Sequence, residues 1–182
     1  MPRNRTGDQS EARRLHGALL DAWPRLFAYA LALTHSRDRA EELLQDCALK
    51  VLSAARAPVE ARALRLWLYT VMRHAWIDQL RRQRIVVFEP LQEELAEARE
   101  YPAAAARLDD AVALREAFRR LSPQHREILA LVDLAGFSYQ EAAAILAVPI
   151  GTVMSRVSRA RRALIEALSQ RLAPEQQRKL AR

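Results

Sequence analysis

The sequence predicts an all-α protein: two small helical domains joined by a flexible acidic linker. Three observations carry that prediction. Alanine, leucine, arginine and glutamate dominate the 182-residue chain, which has only four glycines (Gly7, Gly17, Gly136 and Gly151) and few β-branched runs. Such a composition favours helices over strands. Apolar residues recur at intervals of three and four in most long segments, as on a helix with one buried face. Charge falls into blocks: residues 1–84 carry 15 basic and 9 acidic side chains, residues 85–110 carry 2 and 7, and residues 111–182 carry 12 and 6. The net charge of +7 therefore stands for two basic blocks around an acidic connector. A polyanionic partner touched at two places is the simplest account of that division.

Residues 1–14 are polar and predict a frayed tail. Leu15, Leu19, Ala22, Leu26, Ala30 and Leu33 then form an apolar stripe, and Pro24 predicts a break or a new first turn near Trp23. The helix should end at Thr34-His35-Ser36, with Ser36 or Asp38 capping the next. That second helix, about residues 37–55, points Leu44, Cys47, Ala48, Val51, Leu52 and Ala55 inward. Glu42, Asp46, Lys50 and Ser53 point outward together with Leu49. An acidic face with one exposed leucine is either a docking surface for a protein or a solvated face.

After a break at Ala57-Pro58-Val59, the run LRLWLYTVMRHAWIDQLRRQR (residues 64–84) is apolar over most of its circumference. It should be the central helix of the first domain. Its end gathers Arg73, His74, Arg81, Arg82 and Arg84 beside Trp67, Tyr69 and Trp76. Rings on which bases stack, interleaved with arginines that neutralise the backbone, suit single-stranded nucleic acid. Core tryptophans with a basic C-terminal cap are the alternative.

Residues 85–110, with Pro90 and Pro102, predict the linker. The second domain opens at Ala111, with Val112, Leu114, Ala117, Phe118 and Leu121 facing its core. Ser122-Pro123 starts another helix, Ser122 as N-cap, carrying Arg126, Ile128, Leu129, Leu131, Val132 and Leu134 until Gly136 ends it. Then comes FSYQEAAAILAVPIGTVMSRVSRARRAL, residues 137–164. Ala142, Ala143 and Leu146 give a short helix an inner face, Ala147-Val148-Pro149 interrupts it, and Val153, Val157, Ala160 and Leu164 line a second helix. Thr152, Ser155, Ser158, Arg159 and Arg162 take the opposite face, with Arg156 and Arg161 at its flanks. A small apolar inside with hydroxyls and arginines outside suits the DNA major groove in a helix-turn-helix. A helical hairpin with a solvated basic face is the alternative. Gly151 permits close backbone approach or simply caps the helix. Residues 169–182 predict a polar tail.

No window approaches the roughly 18 apolar residues of a membrane span, and MPRNRTGDQSEARR lacks the apolar core of a secretory signal. A cytoplasmic protein without membrane insertion is expected. Cys47 is the only cysteine, so neither a disulfide within the chain nor a multi-cysteine zinc site is expected. His16, His35, His74 and His125 are scattered, and there is no phosphate-binding glycine loop. The expectation is a binding protein, not an enzyme, with neither cofactor nor metal.

With these residues in view, the chain resembles the extracytoplasmic-function (ECF, group IV) sigma factors of bacterial RNA polymerase across nearly its whole length. LSPQHREILAL and GFSYQEAAAILAVPIGTVMSR are similar to the family's region 4 patterns, with Leu121, Pro123, Arg126, Gly136, Ser138, Glu141, Gly151, Thr152, Val153, Ser155 and Arg156 falling on them. AEELLQDCALKVL and WLYTVMRHAWIDQLRR are similar to region 2. The resemblance implies a region 2 helical bundle over residues 15–84 and a region 4 helix-turn-helix over 111–168. It implies that Glu41, Glu42, Gln45, Asp46, Leu49 and Lys50 dock on the clamp helices of the polymerase largest subunit. The loop from about Ala54 to Ala63 would capture a flipped base of the minus-ten element. Trp67, Arg73, His74, Ile77, Arg81 and Arg82 would melt and hold that element as single strand. Thr152, Met154, Ser155, Arg156, Ser158, Arg159 and Arg162 would read the minus-thirty-five duplex. Asp78 is expected to pair within the protein, because phosphate repels a carboxylate. Further implied partners are the polymerase flap and an anti-sigma factor.

Three residues depart from the family pattern. Ala147 stands where the turn commonly has glycine, at a cost of about 1 kcal/mol if the backbone there needs positive φ. Met154 replaces a common lysine or arginine, and His74 a common asparagine. The implied function is a sigma factor that brings core polymerase to promoters and opens them. The rivals are a sigma-like decoy that binds an anti-sigma factor without starting transcription, and a plain helix-turn-helix repressor.

Overall fold

The computed structural model describes the backbone of residues 5–86 and 105–180 and the side chains of residues 11–82 and 112–170. Among these residues the regular structure is entirely helical. The chain divides into two compact units. The first holds α1 (Arg5–Thr34), α2 (Arg37–Leu52) and α3 (Ala61–Val86). The second holds α4 (Ala105–Arg119), α5 (Pro123–Leu129) running on into a π-helical turn (Ala130–Leu134), α6 (Tyr139–Leu146) as far as Ala143, and α7 (Ile150–Leu180).

In the first unit α1 is continuous, correcting both the frayed tail over 1–14 and the break at Pro24: it begins at Arg5 and passes through the proline. Pro24 has no N–H to offer the carbonyl of Leu20, but both residues are exposed, so water can serve that carbonyl. An interior proline costs about 3 kcal/mol. Leu19, Leu26, Tyr29 and Leu33 are buried on the opposite side, each at roughly 1.5–3 kcal/mol, so packing wins. The helix stops at His35, whose φ of 56° is left-handed and whose N–H reaches the Leu31 carbonyl at 3.0 Å. Ser36 is the cap of α2, accepting from the Arg39 N–H.

The core of this unit is Leu15, Leu19, Leu26, Tyr29 and Leu33 against Ala40, Leu43, Leu44, Cys47 and Val51, closed by Leu64, Leu68, Tyr69, Met72 and Ala75. Tyr29 and Tyr69 meet with ring centroids 5.2 Å apart. Burial pushes the Cys47 thiol up to about 12, so it stays protonated and behaves as a small apolar residue. Two expected inward residues are corrected: Leu52 and Ala55 are exposed because α2 ends at Leu52. Leu43 takes the inner place instead.

The predicted linker 85–110 is also shortened, since α3 runs to Val86 and α4 starts at Ala105; its remainder lies outside the described residues. In the second unit Ser122 caps α5 with Pro123 in the first turn, as its sequence requires. Ile128, Leu129, Ala130 and Leu131 are buried, while Leu114 and Leu134, expected inside, are exposed. The π turn explains Leu134: its Ala135 N–H bonds to Ala130 at 2.9 Å, and the wider coil rotates the following residues out of register. Gly136 ends it at φ 72°.

Ser138 and Glu141 form a capping box at the start of α6: the Ser138 N–H lies 2.9 Å from the Glu141 carboxylate, and the Glu141 N–H 3.3 Å from the Ser138 hydroxyl. The helix closes in a Schellman turn, with Val148 N–H to the Ala143 carbonyl at 3.1 Å and Ala147 N–H to Ala144 at 3.3 Å. Ala147 sits at its left-handed position with φ 54°. An L-residue there pays about 1–2 kcal/mol, against the roughly 0.4–1 kcal/mol that alanine gains by restricting the unfolded chain. Ala147 is exposed, so glycine loses no packing. Ala147→Gly is expected to stabilise the protein by about 0.5–1 kcal/mol, seen as a higher denaturant midpoint; a lower midpoint would show the turn to be unstrained. The last helix runs on to Leu180, so the polar tail predicted over 169–182 is helical as far as that residue.

Candidate nucleic-acid interface

The chain bends by 105° between α6 and α7 across Ala147-Val148-Pro149, within the range of helix-turn-helix motifs. Pro149 starts α7 by accepting at its carbonyl from the Thr152 N–H at 2.9 Å. Val153, Val157 and Ala160 are buried at 0–1% exposure and fasten the inner face. That fixes the outer one: Met154, Ser155, Ser158, Arg159 and Arg162 are exposed, and Thr152 and Arg156 are half-buried. A Cβ added at Gly151 would meet nothing within 4 Å, so none of the described residues needs a glycine there.

On this face Arg159 lies back along its own helix, its Nε 3.2 Å from the Ser155 carbonyl. Such exposed bonds are exchanged at little cost for phosphate or base contacts. Arg161 differs. Its Nη2 and Nε donate to the Asp133 carboxylate at 2.5 and 3.2 Å, a two-pronged pair that ties α7 to the π turn and holds this guanidinium above its ordinary range. Asp133 was not singled out in the sequence, because a pairing across 28 residues leaves no local pattern.

In the first unit Glu41, Glu42, Gln45, Leu49 and Lys50 are exposed on α2 and Asp46 is half-buried; Leu49 is 68% exposed. On α3, Trp67, Arg73 and Ile77 are half-buried, whereas His74, Arg81 and Arg82 are exposed. At 100° per residue, Trp67, His74, Ile77 and Arg81 fall within an arc of about 80°. Trp76 is half-buried too, so neither tryptophan is simply core. Asp78, between His74 and Arg82 on this face, pairs with Lys50 at 2.9 Å. That bond, with Arg81 and Arg82 nearby, holds its carboxyl below the usual carboxylate range. Asp46 accepts from the Gln79 amide at 2.9 Å. The loop between α2 and α3 is pinned near its α3 end: Arg14 donates to the Pro58 carbonyl at 2.8 Å, and Glu60 accepts from the Arg62 and Ala63 N–H groups at 2.8 and 2.7 Å.

Two family models match the chain, Sigma-70 region 2 over residues 19–85 and Sigma-70, region 4 over residues 111–164. The ECF RNA polymerase sigma factor EcfG of Rhodopseudomonas palustris is 34% identical over 147 residues, 81% of each chain. The chain belongs to the ECF sigma factors. SigM of Mycobacterium tuberculosis, another ECF sigma factor, is 31% identical over 145 residues, covering 79% of this chain and 71% of SigM. Among solved structures, the sigma factor RpoE of Bartonella quintana, crystallised with the anti-sigma factor NepR, is similar at 31% identity and TM-score 0.65, over 86% of this chain and 98% of that one. CnrH, solved with the cytosolic domain of CnrY, shares the fold at 22% identity and TM-score 0.55, over 92% of this chain and 90% of that one. This sigma factor therefore serves transcription initiation by RNA polymerase. Region 4 takes in α6 and α7 as far as residue 164, and region 2 takes in α2 with nearly all of α3. No single helix among the described residues is long and apolar enough to cross a membrane.

Proposed function

We propose that this sigma factor docks on core RNA polymerase, brings it to promoters and stabilises their melted strand, in the cytoplasm and without covalent chemistry of its own. The observation that supports this reading is the division of exposed chemistry. Region 4 presents a hydroxyl- and arginine-bearing helix face. Region 2 presents an acidic face on α2 and an aromatic, basic face on α3. Region 4 grips the duplex through Thr152, Ser155, Arg156, Ser158, Arg159 and Arg162, with Met154 against base edges or methyls. Region 2 traps unstacked bases against Trp67, His74 and Ile77, with Arg73, Arg81 and Arg82 on the backbone. Unstacking costs a few kcal/mol per step, which capture and stacking must offset. Joining two weak readers in one chain raises their joint affinity through effective concentration.

Docking falls to Glu41, Glu42, Gln45 and Leu49 against the clamp helices, with Asp46 and Lys50 at the edge nearest α3, and to region 4 against the flap. Leu49 is the anchor, because a leucine 68% exposed beside carboxylates is left uncovered by the described residues. Leu49→Asp is expected to weaken core polymerase binding by about tenfold or more while leaving the thermal midpoint unchanged. Equal affinity for core would remove α2 from the docking surface. The similarity to RpoE, crystallised with NepR, supports an anti-sigma factor as a further partner. A decoy that only captures such a factor would not need the arginine face of α7.

A further inference from the structure

The apolar core of region 2 stops short of the end of α3 that handles DNA. Ala75 is the last residue of α3 that is fully buried among the described ones; from Trp76 to Arg82 every side chain is half-buried or exposed. Two polar links span the gap from α2: Lys50 to Asp78 at 2.9 Å and Asp46 to Gln79 at 2.9 Å. Asp46 and Lys50 are one helical turn apart, and they meet two consecutive residues of α3. The links fall between His74 and Arg81, the stretch that presents the basic face.

We propose that Asp46 and Lys50 are positioning residues for strand melting. They brace the arginine-bearing end of α3 from α2, and so hold His74, Ile77, Arg81 and Arg82 where a separating strand can be caught. This inference rests on the melting role proposed for α3, and it gives two residues of the docking face a second task. A docking partner on α2 then lies against the side chains that aim α3, so polymerase binding and strand capture act on the same pair of helices.

Charge alone and bracing predict opposite outcomes for one variant. Asp78→Lys adds positive charge to a face that meets DNA, and simple electrostatics makes melting easier. Bracing makes it harder, because Lys50 and the new lysine repel across the gap. The experiment measures the rate of open-complex formation by holoenzyme on a duplex promoter selected from a random library, with core affinity measured in parallel. Asp78→Lys is expected to lower that rate about fivefold at unchanged core affinity. Adding Lys50→Asp, which restores an opposite pair, should raise the rate at least about twofold above that of the single variant at saturating core polymerase, where any weaker docking through Lys50 no longer limits it. Gln79→Ala, which alters no charge, should also slow melting. A faster Asp78→Lys protein, or a double variant no better than the single one, overturns the proposal. A wild-type protein that opens no promoter at all would instead overturn the function on which it rests.

Discussion

Alanine at both Arg156 and Arg159 is expected to cut affinity for duplex promoter DNA by at least about 30-fold, since an arginine reading a base edge contributes about 1–3 kcal/mol. Arg159 is exposed and, among the described residues, bonded only along its own helix, so its guanidinium can turn outward. Arg156 is half-buried at the flank of that face. The salt dependence should fall as well, by about one unit of slope for each phosphate no longer neutralised. Arg161 is the internal control. It carries the same charge on the same helix but is held by Asp133. Arg161→Ala should change DNA affinity by no more than about twofold, and stability by no more than about 1 kcal/mol because the pair is about half exposed. Equal losses at Arg161 and Arg159 would mean that only net charge matters and that the assigned face is wrong.

The second large effect is expected in the core of region 2. Met72 is fully buried at the centre of α3, in the same core as Leu44, Cys47 and Tyr69. Truncating such a side chain removes its transfer free energy and leaves a cavity, for about 2–5 kcal/mol. Met72→Ala should lower the stability of the first unit by that amount, read as a lower denaturant midpoint with an unchanged slope. A loss below about 1 kcal/mol would mean that the site collapses around the alanine and that the core is less closely packed than its burial indicates.

Much of the architecture was legible because helix periodicity and capping are local. Ser36, Ser122 and Gly136 act where their chemistry predicts, and Val153, Val157 and Ala160 face inward as their spacing requires. The left-handed strain at Ala147 was visible only through the chemistry of the turn, which favours glycine at that position. Failures came where distant contacts override local preference. Pro24 does not break α1, because four buried side chains on the far face outweigh one missing hydrogen bond. The π turn moved Leu134 outward, and no composition signal marks an extra residue in a helical turn. Every assigned DNA-facing residue stands exposed or half-buried, yet the pairs that organise their surroundings, Asp133 with Arg161 and Lys50 with Asp78, span 28 residues in each case. Sequence spacing carries no trace of such pairs.

The central claim is that one chain joins a duplex reader to a strand-capturing helix in the service of polymerase. Run-off transcription with purified core polymerase on a random promoter library tests it most directly. Transcripts should depend on the protein and share two sequence elements, recognition of the upstream one weakened by Arg156→Ala and Arg159→Ala, and of the downstream one by changes in α3. No transcript from any template, together with tight capture of an anti-sigma factor, would contradict it and leave a decoy.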